Sequence, residues 1–180
     1  MVEILLELFP THSVCLWALE FDETIEGIFQ AFQRLDGDAA LVDADIVFHK
    51  EQLVTAVNVA LQRHLAGRRR TRNLHTEILL ALAAKLGVKE SLEMICFAEG
   101  KQRCLVVAVN PGPSFETTVK LFAREVDARW VDFKGKEEDL FDYLTQKAKR
   151  DRVRELYGGR LDIGWICTKI AVVEYARQLR

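Results

Sequence analysis

Arg68, Arg69, Arg70 and Arg72 put four guanidinium groups within five positions, in the stretch Gly67-Arg68-Arg69-Arg70-Thr71-Arg72-Asn73-Leu74-His75-Thr76-Glu77-Ile78. Arginines this close repel one another. An anionic partner makes their spacing intelligible, and the planar donor fork of each fits phosphate oxygens best. The competing reading is a solvated loop whose charges keep the chain soluble, and charge alone leaves both standing. His75 lies beside the arginines, where it is placed either to stack on or hydrogen-bond to RNA, or to be a plain surface residue like His12 and His49. Glu77 is an early-turn carboxylate favourable to a helix N-terminus, and pairing with Arg70 or Arg72 would orient them. That structural role outranks catalysis, because no second carboxylate or nucleophile lies near it in sequence.

Other chemistry finds little support. There is no Gly-x-Gly-x-x-Gly, phosphate-binding Gly-rich loop, nucleophile elbow or His-Glu-x-x-His. Gly112 and the pair Gly158-Gly159 read as turn glycines. His64 falls on the apolar face of its helix and reads as a core or edge residue. Cys15, Cys96, Cys104 and Cys167 have no CxxC spacing and sit in apolar runs, so buried free thiols are expected and a zinc site is not. No metal and no cofactor is expected. Net charge is −2, so any nucleic-acid contact must come from a local patch. No apolar run approaches the roughly 18 residues of a membrane span, and Met1-Val2-Glu3 lacks a basic lead and cleavage site. The expectation is a chain neither membrane-embedded nor secreted.

The elements that must position these residues follow from periodicity. Residues 3–8 and 13–21 are apolar runs parted by Pro10-Thr11-His12-Ser13, which predicts two strands and a turn. Asp22 and Thr24 predict a helix start, with Ile25, Ile28, Phe29 and Phe32 on one face and an end at Asp36-Gly37-Asp38. Leu53, Val57, Ala60, Leu61 and His64 predict a helix over 50–65. Leu74, Ile78, Leu82 and Leu86 predict the next, stopped by Gly87. A shorter helix covers 89–96. Residues 103–109 are an unbroken apolar run, the mark of a buried central strand. Ser114 opens a helix to Glu125, residues 128–133 read as a strand, and 137–157 as helix in one or two pieces. The class is α/β (α+β): one domain over residues 1–180, with a small, largely antiparallel sheet of about four strands and about seven helices.

The closing helix, expected over 162–177, is apolar nearly all round. Ile163, Trp165, Ile166, Ile170, Val173 and Ala176 exceed what one packed face requires, and Cys167, Ala171, Val172 and Tyr175 lie opposite. A partner-binding surface is one reading, and a helix sunk into the core is the other.

The order of these features resembles the TPRKB family, the PRPK-kinase-binding subunit of the KEOPS (EKC) complex. The similarity is carried by Thr71-Arg72-x-Leu74-x-Thr76-Glu77-Ile78, by Ala40 to Asp43 with Ile46-Val47, and by Gln52 to Ala60 and Val88 to Leu92. Glu7 to Pro10, Val14 to Phe21, Val153 to Tyr157, and Ile163-Gly164 with Ile170-Ala171 extend it over most of the chain, most densely at 40–95. The resemblance implies a non-enzymatic subunit of the cytoplasm and nucleus that binds the PRPK-type kinase/ATPase and helps the complex hold tRNA for threonylcarbamoyl-adenosine modification. Arg68, Arg69, Arg70, Arg72, Asn73 and His75 would then meet the tRNA 3′ CCA end. Ile163, Trp165, Val172, Tyr175 and Ala176 would face the kinase. A small phosphate-substrate transferase and a pure protein-interaction module are the alternatives.

Overall fold

The computed structural model describes residues 1–22, 28–33, 39–85, 87–98 and 100–178, the side chains of 29, 30, 33 and 174–178 excepted. The elements run β1 (Val2–Leu5), β2 (Ser13–Glu20), α1 (Ile28–Gln33), β3 (Ala39–Asp43), a 3₁₀ turn (Ala44–Ile46), α2 (Lys50–Leu65), α3 (Leu74–Ala83) and α4 (Val88–Ile95). They continue with β4 (Arg103–Val109), α5 (Phe115–Glu125), β5 (Arg129–Val131), α6 (Glu137–Lys147), α7 (Arg150–Tyr157) and α8 (Ile163–Gln178). The α+β class and the antiparallel sheet stand as expected. The chain divides into two compact units, one of Met1–Ala44 with Phe97–Leu140 and one of Asp45–Cys96 with Phe141–Arg180.

The first unit is the sheet, in the order β1-β2-β4-β3, with the short β5 also paired to β2. Every pairing is antiparallel; Trp17 faces Val106 between β2 and β4, and Leu41 faces Val106 between β3 and β4. The run 103–109 thus lies between two strands, as its unbroken apolar character requires. Cys15, Trp17 and Leu19 alternate on one face with Cys104, Val106 and Ala108, and Phe115, Val119 and Phe122 of α5 pack there. Trp17 meets Phe115 at 5.4 Å between ring centroids, and Phe21 stacks on Phe97 at 4.8 Å. Asp43, fully buried, is paired with Lys101 at 3.1 Å.

The second unit is helical. The buried face of α2 carries Leu53, Ala56, Val57, Ala60 and Leu61, as its spacing predicts, and also the polar Gln52 and Arg63. His64 is half-buried, at the edge of that face, and its neighbour Arg63 is buried. The Gln52 amide donates to the Ile46 carbonyl at 3.0 Å and to the Tyr157 hydroxyl at 2.9 Å, and its oxygen accepts the Phe48 N–H at 2.7 Å. Tyr157 passes its own proton to the Leu82 carbonyl at 2.5 Å. Burial holds this phenol protonated far above the ordinary tyrosine range.

Several expected boundaries move. α3 ends at Ala83 with Ala84 left-handed at φ 49°, before Gly87 is reached. Leu86 lies outside the described residues, as do Thr24, Ile25 and the stop at 36–38. β1 is shorter than 3–8, and β5 keeps only three residues of 128–133. The stretch 137–157 is two helices parted at Ala148-Lys149, where the Lys149 N–H bonds the Asp45 carbonyl at 2.8 Å. Among the described residues no helix is long and apolar enough to cross a membrane. Cys15 and Cys104 are buried free thiols as expected, whereas Cys96 and Cys167 are half-buried. Burial, with the Glu3 charge behind it, pushes the Cys15 thiol up to about 11.

Candidate functional site

The arginine loop begins where α2 is terminated. Gly67 takes φ +66°, the left-handed region that glycine enters at no steric cost. The Gly67 N–H then bonds the His64 carbonyl at 3.2 Å and the Arg68 N–H the Arg63 carbonyl at 2.8 Å. These paired bonds close the helix in a Schellman cap and turn the chain away from it. Arg68 and Arg69 follow, exposed.

A single carboxylate fixes what comes next. Glu77, fully buried in the first turn of α3, accepts the N–H of Arg70 at 2.6 Å and of Thr71 at 2.5 Å through Oε1. The same oxygen accepts the Thr71 hydroxyl at 2.9 Å. Its other oxygen lies 3.5 Å from the guanidinium of Arg63, itself 3% exposed. The Asn73 carbonyl accepts the Glu77 N–H at 3.3 Å, so Asn73 opens α3 with its backbone and leaves its side chain exposed. Hydrogen bonds to an ionised acceptor are short and strong, and here they order a loop that like charges would spread.

The sequence thus gives Glu77 the right role with incomplete partners. It grips the backbone amides of Arg70 and Thr71, and its buried cation is Arg63, fourteen positions upstream. No sequence pattern marks Arg63, because its burial depends on how α2 meets the start of α3. The loop carries Arg68, Arg69, Arg72 and Asn73 exposed, and Arg70 and His75 half-buried. All six candidate RNA-binding residues are therefore in one short segment ordered from beneath.

The candidate kinase-facing residues lie on α8. Ile166 and Ile170, one turn apart, are buried and dock the helix in its unit. The Trp165 indole N–H donates to the Tyr157 carbonyl at 2.9 Å, and the Arg160 guanidinium sits 5.0 Å above its ring. Trp165 nonetheless stays 38% exposed and Val172 51% exposed, while Ile163, Cys167, Ala171 and Val173 are half-buried. One stripe of this helix is core, as one reading expected, and the side bearing Val172 is open. The Tyr175 and Ala176 side chains lie outside the described residues.

A cleft of about 230 Å³ in the same unit is lined by Ile46, Glu93, Met94, Arg152, Glu155 and Leu156. It includes none of the loop arginines. Arg152 is engaged there with the Met94 carbonyl at 3.5 Å and approaches Asp45 at 4.0 Å. Among the described residues no three His, Cys, Asp or Glu side chains converge as metal ligands.

Residues 20–162 match the family model described as kinase binding protein CGI-121. An EKC/KEOPS complex subunit cgi121 of Schizosaccharomyces pombe is 22% identical over 147 residues, covering 80% of this chain and 84% of its own length. The EKC/KEOPS complex subunit CGI121 of Eremothecium gossypii is 32% identical over 121 residues, 66% of this chain and 65% of its own. That of Aspergillus fumigatus is 32% identical over 85 residues, so the match spans 45% of that relative's length.

Proposed function

The chain belongs to the CGI-121 family of kinase binding proteins, and from that premise we propose that it is a non-catalytic EKC/KEOPS subunit that binds both a PRPK-type kinase and the 3′ CCA end of tRNA. In this reading it supports threonylcarbamoyl-adenosine modification of tRNAs in the cytoplasm and nucleus, and the chemistry belongs to other subunits. The carrying observation is the arginine loop clamped through Arg70 and Thr71 by the buried Glu77. A buried carboxylate is a costly way to order a loop whose only task is solubility. It is intelligible where guanidinium groups must be presented in a set geometry to phosphates. Single-stranded ends are held by phosphate neutralisation with stacking beside it, and His75 stands where such stacking would occur.

The exposed side of α8 supports the kinase half of the proposal. Val172 is a large apolar group left in solvent beside the half-buried Ala171 and Val173. Apolar surface of this kind is where partners bind. A transferase reading needs a pocket at the arginines, and the cleft described above is built from other residues.

The test is tRNA affinity measured over a salt series with intact and CCA-trimmed tRNA. Four phosphate contacts on a single strand give a log–log slope of about −2.8, at about −0.7 each. Arg70→Glu with Arg72→Glu should weaken binding and flatten the slope, and trimming should weaken it comparably. Equal binding of trimmed and intact tRNA would remove the 3′-end assignment.

A further inference from the structure

Thr71 lies inside the arginine run, with Arg68 and Arg69 three and two positions ahead of it. Its Oγ1 is 2.9 Å from Glu77 Oε1 and 3.1 Å from the Asn73 carbonyl oxygen. RNA binding uses the arginines and leaves this hydroxyl as a strut. Two arginines at that spacing before a hydroxyl are also what an arginine-directed serine/threonine protein kinase grips with its own acidic residues.

We propose that Thr71 is a phosphorylation site whose phosphate releases the loop from Glu77 and switches off RNA binding, an inference that rests on the arginine loop being the RNA-binding surface. The Thr71 oxygen attacks the γ-phosphorus of magnesium-bound ATP. The bond from that phosphorus to the β–γ bridging oxygen breaks, ADP leaves, and the hydroxyl proton passes to the base of the modifying kinase. Thr71 is half-buried within a segment otherwise exposed at Arg68, Arg69, Arg72 and Asn73. Transfer therefore takes place during local opening of the loop, a common event for surface segments held by few contacts.

The phosphate works against the clamp in two ways. It adds about −1.5 to −2 charge to an atom that sits at hydrogen-bond distance from a fully buried carboxylate. Anion then faces anion in a dry setting, and the phosphorylated loop lifts away, giving up the Arg70 and Thr71 amide bonds. Once out, the phosphate offers its oxygens to Arg68, Arg69 and Arg72, the groups an RNA strand would use. Lost geometry and cancelled charge act in the same direction.

The experiment treats the full chain with magnesium-ATP and the catalytic subunit of cAMP-dependent protein kinase, maps the phosphate by mass spectrometry, and compares both forms. The expected result is phosphate on Thr71 and none at that position in Thr71→Ala. The Arg70 and Thr71 amides, protected in the unmodified protein, should then exchange with solvent much faster. The salt slope for tRNA should fall from about −2.8 to about −1.4, since a dianion cancels about two contacts. Thr71→Ala keeps all four arginines but loses the hydroxyl strut to Glu77, so it is compared with itself: treatment with the kinase and ATP should leave its own tRNA affinity and salt slope unchanged. No phosphate on Thr71 overturns the proposal, as does modified protein whose amides stay protected or whose tRNA affinity is unchanged. Unmodified protein that binds no tRNA overturns the functional reading instead, and amide exchange still decides whether the phosphate frees the loop.

Discussion

The two units of this chain bury different chemistry. In the sheet unit the large cluster from Cys15 to Val126 is apolar, and its buried carboxylate Asp43 is matched by Lys101. The helical unit buries Asp45, Gln52, Arg63, Glu77 and Ser91. Most of these bond to backbone where an element begins, ends or turns. Glu77 holds the amides after Gly67, Gln52 holds Ile46 and Phe48, and the Ser91 hydroxyl donates to the Gly87 carbonyl at 2.5 Å. Asp45 is ion-paired to Lys149 at 2.7 Å where α6 gives way to α7. Apolar burial is non-directional and sets how much a unit is stabilised. A buried polar group costs desolvation and returns it only in one geometry, so it sets where a segment lies. Both candidate surfaces belong to the unit built in the second manner.

The sharpest way to break this comparison is to remove one group of each kind. Glu77→Ala takes away a buried anion and leaves Arg63 and two amides without it, at a cost of about 3–5 kcal/mol. Phe122→Ala in the sheet unit should cost a similar ~3–5 kcal/mol by opening a cavity. Denaturant melts will not tell these variants apart. Amide exchange at Arg70 and Thr71 under stabilising conditions will: it should rise in the first and stay unchanged in the second. The double change Arg63→Met with Glu77→Leu should recover much of the stability while leaving the loop loose. If that double variant keeps full tRNA affinity, the clamp has no part in binding.

A smaller effect is expected at Tyr157→Phe. It removes the hydroxyl that receives the Gln52 amide and donates to the Leu82 carbonyl. Gln52 keeps the Ile46 carbonyl, but Leu82 loses its donor, and the loss should be about 1–3 kcal/mol in a denaturant melt. A change near zero would mean that water replaces the hydroxyl and that this network does not set the helix ends.

These contrasts also explain what could be read from the chain in advance. Most of the sheet unit follows from pattern: 103–109 is central because it is apolar on both faces, and β2 is built likewise, but periodicity marks no strand at 39–43, where β3 (Ala39–Asp43) pairs with β4. The α2 face follows from 3.6-residue spacing. What pattern misses is polar and local. Ala84 ends α3 in the left-handed conformation, which propensity assigns to glycine, and so pattern alone places the stop at Gly87. Arg63 looks like any solvent-facing arginine until Glu77 is placed beside it. Along α8 composition announces an excess of apolar groups, yet only packing shows that Ile166 and Ile170 face inward while Val172 does not. The arginine cluster and the orienting role of Glu77 are legible because they lie in one contiguous stretch; Arg63 is not, because it comes from the preceding helix.

Thiol reactivity sharpens the same contrast with a perturbation too mild to unfold anything. Cys15 and Cys104 of the sheet unit are buried, and Cys15 is held protonated by burial up to about 11. The thiolate is the nucleophile, so Cys15 should resist iodoacetamide at neutral pH and become reactive only as pH rises towards that value. Cys96 and Cys167 of the helical unit, half-buried, should be alkylated first, as read by mass spectrometry. Equal rates at all four would show that the sheet unit opens as readily as the helical one.

The smallest expected change in stability belongs to Val172→Glu, and its meaning lies in what else moves. Val172 is 51% exposed on α8, on a different side from the docked Ile166 and Ile170. A carboxylate there stays in water, so the melt should shift by no more than about 0.5 kcal/mol. In a complex, the same carboxylate would be desolvated against the partner with nothing to pair it, and truncated or charged hot-spot residues typically cost ~2 kcal/mol or more of affinity. Ile170→Glu provides the opposite case. It buries the charge within the unit and should unfold it before any partner is added. Affinity for the PRPK-type kinase, measured by titration calorimetry, should therefore fall at least tenfold for Val172→Glu while tRNA binding at the arginine loop is retained. Undiminished kinase affinity in a folded Val172→Glu would move the docking surface off this side of α8 and leave the arginine loop reading untouched.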